Sequence, residues 1–247
     1  MIREFLCDLH IHTCLSPCGD LDMYPRAVVT EAVRCHIDGI AICDHNASEN
    51  VTPVMRAAEG KPLSVLPGME ITTREEIHVI ALFDNTDSLV DIQKTVYTSL
   101  HGTNDESIFG CQAIVDDHDA VVGINEHLLI GATTLSLADV VDAIHDRKGL
   151  AIAAHIDREC FSVISQIGFI PPDVRFDALE ISRHMSTAQA RRRFDGIDRF
   201  PLIRSSDAHY IDDIGQATTV MALEALTIQE IEKALHNADG RYIRCET

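Results

Sequence analysis

Phe5-Leu6-Cys7-Asp8-Leu9-His10-Ile11-His12-Thr13 is the stretch from which the fold and the chemistry of this chain are both read. Successive side chains of a strand face opposite ways. A strand here places Asp8, His10 and His12 on one face and Leu9 and Ile11 on the other. Two imidazoles on one face reach a single metal ion, and a carboxylate just before them joins or orients them. That donor set suits zinc, manganese or iron. A strand end carrying two solvated histidines fits the same nine residues about equally well. What decides is how many later strand ends also finish in His, Asp or Glu.

Working outward, Pro25 opens a helix to about His36, and Asp38-Gly39 ends it. Ile40-Ala41-Ile42-Cys43 reads as a short buried strand finishing in Asp44-His45-Asn46. A helix is expected over 51–58 and a strand over 63–66, followed by Pro67-Gly68-Met69-Glu70. Residues 77–83 form a strand with His78 near its start, and 88–99 a helix. Between 101 and 130 the pattern gives a helix near 111–118 and a loop holding Asn125-Glu126-His127. An amphipathic helix over 137–147, capped by Gly149, precedes a strand at 150–154 that ends in His155-Ile156-Asp157-Arg158. A short helix over 160–167 leads to the strand Ala178-Leu179-Glu180-Ile181, which ends near Ser182-Arg183-His184. After a polar helix at 186–195, Pro201-Leu202-Ile203-Arg204 runs into Ser205-Ser206-Asp207-Ala208-His209. A last strand at 218–222 and a closing helix at 228–235 complete the chain.

Alternating strands and helices imply parallel β/α units, and seven or eight of them close into an α/β barrel. In such a barrel the C-terminal strand ends form one face, where chemistry is located. An open doubly wound sheet is disfavoured because no Gly-rich phosphate loop follows an early strand. At 247 residues the expectation is one domain spanning 1–247.

Composition narrows the function classes. The formal net charge of -19 counts against tracking nucleic acid through a broad basic surface, so extended duplex is not an expected partner. A short nucleotide stays open, because bound divalent ions neutralise clustered carboxylates. No apolar run reaches membrane-spanning length and the start has no cleavable apolar segment, so no membrane partner and a cytoplasmic location are expected. The 8 cysteines lack zinc-finger spacing, and several lie in apolar runs, as buried free thiols would. Cys14 and Cys18 flank the loop after the first strand, where a metal or redox role stays open. Nothing indicates the oligomeric state.

Collected strand ends give His10, His12, His45, Glu70, His78, His155, Asp207 and His209. Each alone reads as a hydrogen-bonded surface or core residue, and Asp207 as a helix cap. Coincidence over five or six strand ends is hard to sustain, since nothing structural requires His there. At this point the chain resembles the PHP (polymerase and histidinol phosphatase) family of metal-dependent phosphoesterases. The match is carried by Asp8-Leu9-His10-Ile11-His12-Thr13, Cys43-Asp44-His45, Gly68-Met69-Glu70, Ala154-His155 and Ser206-Asp207-Ala208-His209.

The resemblance implies a distorted seven-stranded, TIM-like β/α barrel holding two or three divalent ions (zinc, manganese or iron) at its strand ends. It assigns His10, His12 and Asp207 to one ion, with Glu70 bridging to a second that also takes His155 and His78. His45 and His209 hold a third, with one ligand from the loop after His12. Asp20 is the choice there on hardness grounds and Cys18 the alternative. Asp8 is expected to orient an imidazole.

In that setting a metal-bridging water becomes hydroxide near neutral pH. Asp207 combines ligation with proton acceptance, and His209 or His45 assists proton transfer. Arg158, Arg183 and His184 are placed to bind substrate phosphate, and His127 to cover the site. The expected activity is hydrolysis of a small phosphomonoester or short nucleotide. Two alternatives are an amidohydrolase-like C–N hydrolase and a short-range exonuclease acting on oligonucleotide ends. Many amidohydrolases bridge their ions with a carboxylated Lys. Here none of Lys61, Lys94, Lys148 and Lys233 falls at a strand end, and Glu70 takes that place.

Overall fold

The computed structural model describes residues 1–245. Strand β1 (Arg3–Ile11) pairs in parallel with β2 (Gly39–Ile42), and β2 in parallel with β3 (Ser64–Thr72). Strand β4 (His78–Leu82) is antiparallel to its neighbour β3; a separate hairpin, β5 (Ala113–Val115) and β6 (Val121–Ile124), lies outside the main sheet. Strand β7 (Leu150–Ala153) pairs antiparallel with β4, and β8 (Ala178–Ile181) and β9 (Leu202–Arg204) follow in parallel. On the other edge β10 (Thr219–Leu223) runs antiparallel to β1 and carries β11 (Tyr242–Cys245) outside it.

Beyond β9 the chain returns to β1. Ser206 N–H donates to Asp8 at 2.9 Å, Ala208 N–H to the His10 carbonyl at 3.3 Å, and His12 N–H to the Ala208 carbonyl at 3.0 Å. These bonds curl the sheet into a nearly closed barrel of mixed α/β type.

The helices are those that periodicity predicts, with caps that stop them. They are α1 (Pro25–Arg34), α2 (Val51–Ala57), α3 (Thr86–Ser99), α4 (Glu106–Phe109), α5 (Leu137–Asp146), α6 (Val163–Ile167), α7 (Thr187–Arg193) and α8 (Ile228–Leu235). Pro25 starts α1, the Asn85 side chain caps α3, and Ser136 with Asp139 forms a capping box on α5. Alternate strand residues feed two apolar layers. Ile42, Met69, Ala153 and Leu179 pack outward under the helices. Phe5, Cys7, Leu9, Ile80 and Ile152 fill the barrel, whose lower end is closed by Ile228, Ile231 and Leu235 of α8.

Three expectations change here. The pairing runs Cys7 to Gly39 and Asp8 to Ile40, then jumps to Ile11 with Ile42, so β1 holds one extra residue. This bulge puts Leu9 in the inner layer and Ile11 in the outer one, and breaks the simple alternation read from the sequence. Second, β4 reverses direction, because the five residues 73–77 are too short for a parallel crossover. His78, first in β4, therefore sits at the barrel end where the parallel strands finish. Third, residues 111–118 hold strand β5 rather than a helix. The Asp116 carboxylate accepts the N–H groups of His118 and Ala120 at 2.8 and 2.9 Å, and turns the β-branched runs on either side into a hairpin. In addition, β3 continues through Glu70 to Thr72, and β11 follows the strand expected to be last.

Candidate metal centre

Glu70 is the hub of the barrel mouth. It is fully buried, and burial alone would protonate it. The imidazoles of His78, His10 and His45 instead hold its pKa well below the usual carboxylate range. Its Oε1 lies 2.9 Å from His78 Nδ1, 3.2 Å from His155 Nε2 and 3.4 Å from His10 Nε2. Its Oε2 lies 2.9 Å from His45 Nδ1 and 3.5 Å from His12 Nε2. Asp207 faces Glu70 across the cluster, with Oδ1 3.2 Å from His12 Nε2 and 3.5 Å from His10 Nε2. Burial would raise Asp207 too, but His10 and His12 keep it well below its ordinary value.

The surrounding hydrogen bonds fix which imidazole atoms face inward. His10 Nδ1–H donates to Glu180, 3.0 Å from Oε2, and the same oxygen accepts the His155 N–H at 3.0 Å. His12 Nδ1–H donates to Ser16 Oγ at 2.9 Å, whose own proton goes to Asp44 at 2.7 Å. Both Nε2 atoms are thereby left as lone-pair atoms, yet they stand 3.1 Å apart. A cation between them, a metal ion or a shared proton, relieves that contact. His45 Nδ1, His78 Nδ1 and Glu70 Oε2 are buried with no hydrogen bond, although they point at one another. Buried polar atoms without partners are costly.

Three groups converge closely enough for a common ion: His10, His12 and Glu70; His45, Glu70 and His78; and His12, His45 and His209. This donor set of imidazoles and carboxylates fits divalent ions. Four non-glycine residues at this mouth hold positive φ: Asn46 (52°), His155 (26°), Phe161 (59°) and Asp207 (51°). Such conformations cost about 1–3 kcal/mol each and persist where the surroundings over-determine them. Here they are held by the Glu180 bond to His155, by Asn46 Nδ2 bonded to the Leu129 and Gly131 carbonyls, and by Phe161 stacked on His78.

The expected residues sort into two sets. His10, His12, His45, Glu70, His78, His155, Asp207 and His209 are brought together; the His209 and His12 rings stack at 4.1 Å. Arg158 joins them, its Nη2 2.7 Å from Asp207 Oδ2 and its side chain half-exposed at the rim.

Asp20 does not join. Its carboxylate accepts the Asp22 N–H at 2.9 Å, while the turn aims Cys18 at His45 and His209, to which the thiol is hydrogen bonded. Partial desolvation would raise that thiol, but charge and hydrogen bonds from the two imidazoles bring it down to about 6. Arg183 is held by Asp213 and by Gln216 at 3.0 Å, and His184 is exposed beside Met185, Gln189 and Arg192. His127 stacks on Tyr97 at 4.1 Å and bonds to Asn125, which fastens the hairpin region to α3. Asp8 orients backbone instead of an imidazole, accepting the N–H groups of Ser206 and Gly215 at 2.9 Å each. Glu180 is the residue that motif reading overlooked. Its signal was a lone carboxylate inside an apolar strand, which requires a buried partner.

A barrel with this imidazole and carboxylate mouth defines a metal-dependent hydrolase. The PHP domain model matches residues 8–171 and the PHP-associated model residues 199–239. The chain belongs to the PHP domain family of metal-dependent phosphoesterases. No curated protein matches the sequence.

Among solved structures, the lesion-specific endonuclease PfuEndoQ from Pyrococcus furiosus superposes with a TM-score of 0.69 at 15% identity, over 98% of this chain and 58% of its own. A structure of Endonuclease Q with a 27-mer duplex carrying an abasic lesion gives 0.71 at 13%, over 97% and 58%. A provisionally assigned metal-dependent phosphoesterase from Bifidobacterium adolescentis gives 0.56 at 19%, over 83% and 87%. An amidohydrolase from Chromobacterium violaceum gives 0.55 at 18%, over 85% and 89%. This chain thus spans little more than half of the endonuclease chains. At these identities the likeness establishes the fold.

Proposed function

We propose that this protein hydrolyses a small phosphomonoester or short nucleotide at the barrel mouth. The observation that carries this reading is the Glu70-centred cluster with Arg158 at its rim, 2.7 Å from Asp207. His10, His12 and Asp207 would hold one divalent ion, and His78 and His155 a second, with Glu70 between them. Ions at such a site supply Lewis-acid activation of water and neutralise phosphate charge. Arg158 binds and orients the arriving phosphate by charge-assisted hydrogen bonds, which a half-exposed guanidinium can turn outward to make. Asp207, anionic throughout the neutral range, is the acceptor that orients the attacking water and draws its proton. Glu180 and the Ser16–Asp44 pair keep the Nδ1 protons of His10 and His12 away from the reacting face.

A second reading, cleavage of a nucleic-acid phosphodiester, is favoured by the superposition on Endonuclease Q over nearly the whole chain. The net charge of -19 weakens a long electrostatic footprint but leaves a short stretch near the mouth compatible. Turnover of phosphomonoesters, single-stranded oligonucleotides, abasic-site duplex and a small amide, by metal-loaded parent and Asp207→Asn, separates these. The proposal expects phosphate release from monoesters, reduced about 10²–10⁴-fold in the variant. Duplex cleavage with silent monoesters would replace it with the second reading, and amide turnover alone would overturn both.

A further inference from the structure

The turn after β1 is built so that a thiol, and not a carboxylate, meets two of the imidazoles. Ser16 N–H donates to the Thr13 carbonyl at 3.1 Å and Gly19 N–H to the Ser16 carbonyl at 2.9 Å. A side chain at residue 19 would stand 2.5 Å from the Thr13 carbonyl oxygen, so only glycine allows the chain to fold back this tightly. Gly110 approaches from the other side, where a Cβ would lie 2.6 Å from the Pro17 carbonyl oxygen. Asp20 N–H is tied to the His209 carbonyl at 2.9 Å, and its carboxylate is spent on Asp22. Held between these contacts, the Cys18 thiol is hydrogen bonded to His45 and His209.

The imidazoles there are prepared for a cation. The ligand atoms of His12, His45 and His209 lie within 4.8 Å of one another. His45 is buried with Nδ1 unpartnered. His209 Nδ1–H donates to the Asp207 carbonyl at 2.9 Å, which leaves Nε2 as its lone-pair atom. Cys14 and Cys43, by contrast, face the carbonyls of Ala113 and Leu9 at 3.9 and 3.5 Å.

We propose that Cys18, His45 and His209 form a thiolate-containing position for a borderline-soft divalent ion such as zinc, beside the carboxylate-bridged positions around Glu70. The inference rests on the metal-centre reading and deepens it. A sulfur and two imidazoles select zinc over the hard ions that carboxylate and water ligands suit. His45 and His209 are then ligands, and proton handling stays with Asp207.

Cobalt(II) loading tests this without any turnover. Cobalt bound through sulfur shows a near-ultraviolet charge-transfer absorption that cobalt bound through nitrogen and oxygen lacks. The loaded parent is expected to show the band. Cys18→Ser loses it together with one ion per chain by elemental analysis, while Asp20→Asn keeps both. Cys18→His, which restores a ligand and guards against a serine variant that fails to fold, keeps the ion and loses the band. A cobalt-loaded parent without the band, or a band surviving in Cys18→Ser, overturns the assignment of Cys18 alone. A parent that takes up no cobalt contradicts the metal centre itself.

Discussion

Glu180 binds two things that must not move: the Nδ1–H of His10 and the backbone N–H of His155, each 3.0 Å from the same oxygen. One carboxylate thus sets the tautomer of one expected ligand and the strained backbone of another. Partners of this kind are worth about 10–100-fold in metal affinity or activity. Glu180→Gln is therefore expected to weaken ion binding by about that factor with the fold kept. Metal titration with circular dichroism checks it, and unchanged affinity would remove Glu180 from the centre. At this scale most of the site was legible, because His at several strand ends has no structural purpose. Cys18 and Asp20 could not be ranked by residue type. Donor hardness favoured the carboxylate, whereas the backbone turn at Gly19 decides which side chain arrives.

The elements were legible wherever a helix buries one face and carries a cap, as in α1, α5 and α8. Strand direction was not, because alternation is the same for parallel and antiparallel strands. The evidence for β4 lay in the shortness of 73–77. The helix expected near 111–118 gave way to a hairpin, since β-branched residues on both sides of an Asp-rich turn prefer extended backbone.

Closing the barrel depends on α8, and α8 on one anchored carboxylate. Glu230 takes Arg241 through 2.9 and 3.0 Å bonds, the Glu224 N–H at 2.9 Å and Lys233 at 3.1 Å. Arg241 first, then the Glu224 N–H, lowers its pKa from 4.5 to about 2. The folded pKa lies below the unfolded one, so this contribution is full above pH 4.5 and is lost as pH falls toward 2. Glu230→Gln should therefore be less stable than the parent at neutral pH and lose less stability between these limits. Thermal melts across that range measure it; parallel curves for the two proteins would refute the role given to Glu230.

For the whole molecule, the topology turns seven sequence-distant segments into one mouth. Six parallel strands end there and β4 begins there, and the return of residues 206–208 to β1 brings Asp207 opposite Glu70. Barrel and mouth could be anticipated from strand ends and from the family resemblance. Substrate choice could not, because Arg158, the turn at Cys18 and the hairpin over 113–124 form the rim by tertiary contact and carry no pattern of their own. No helix among the described residues is long and apolar enough to cross a membrane.

The central claim is that Glu70 joins two metal positions, since its two oxygens face five imidazoles. Elemental analysis of metal-loaded parent and Glu70→Gln tests it most directly. The account predicts at least two ions per chain in the parent and a loss of at least one in the variant. A parent free of tightly held ions, or a variant holding as many as the parent, would contradict it.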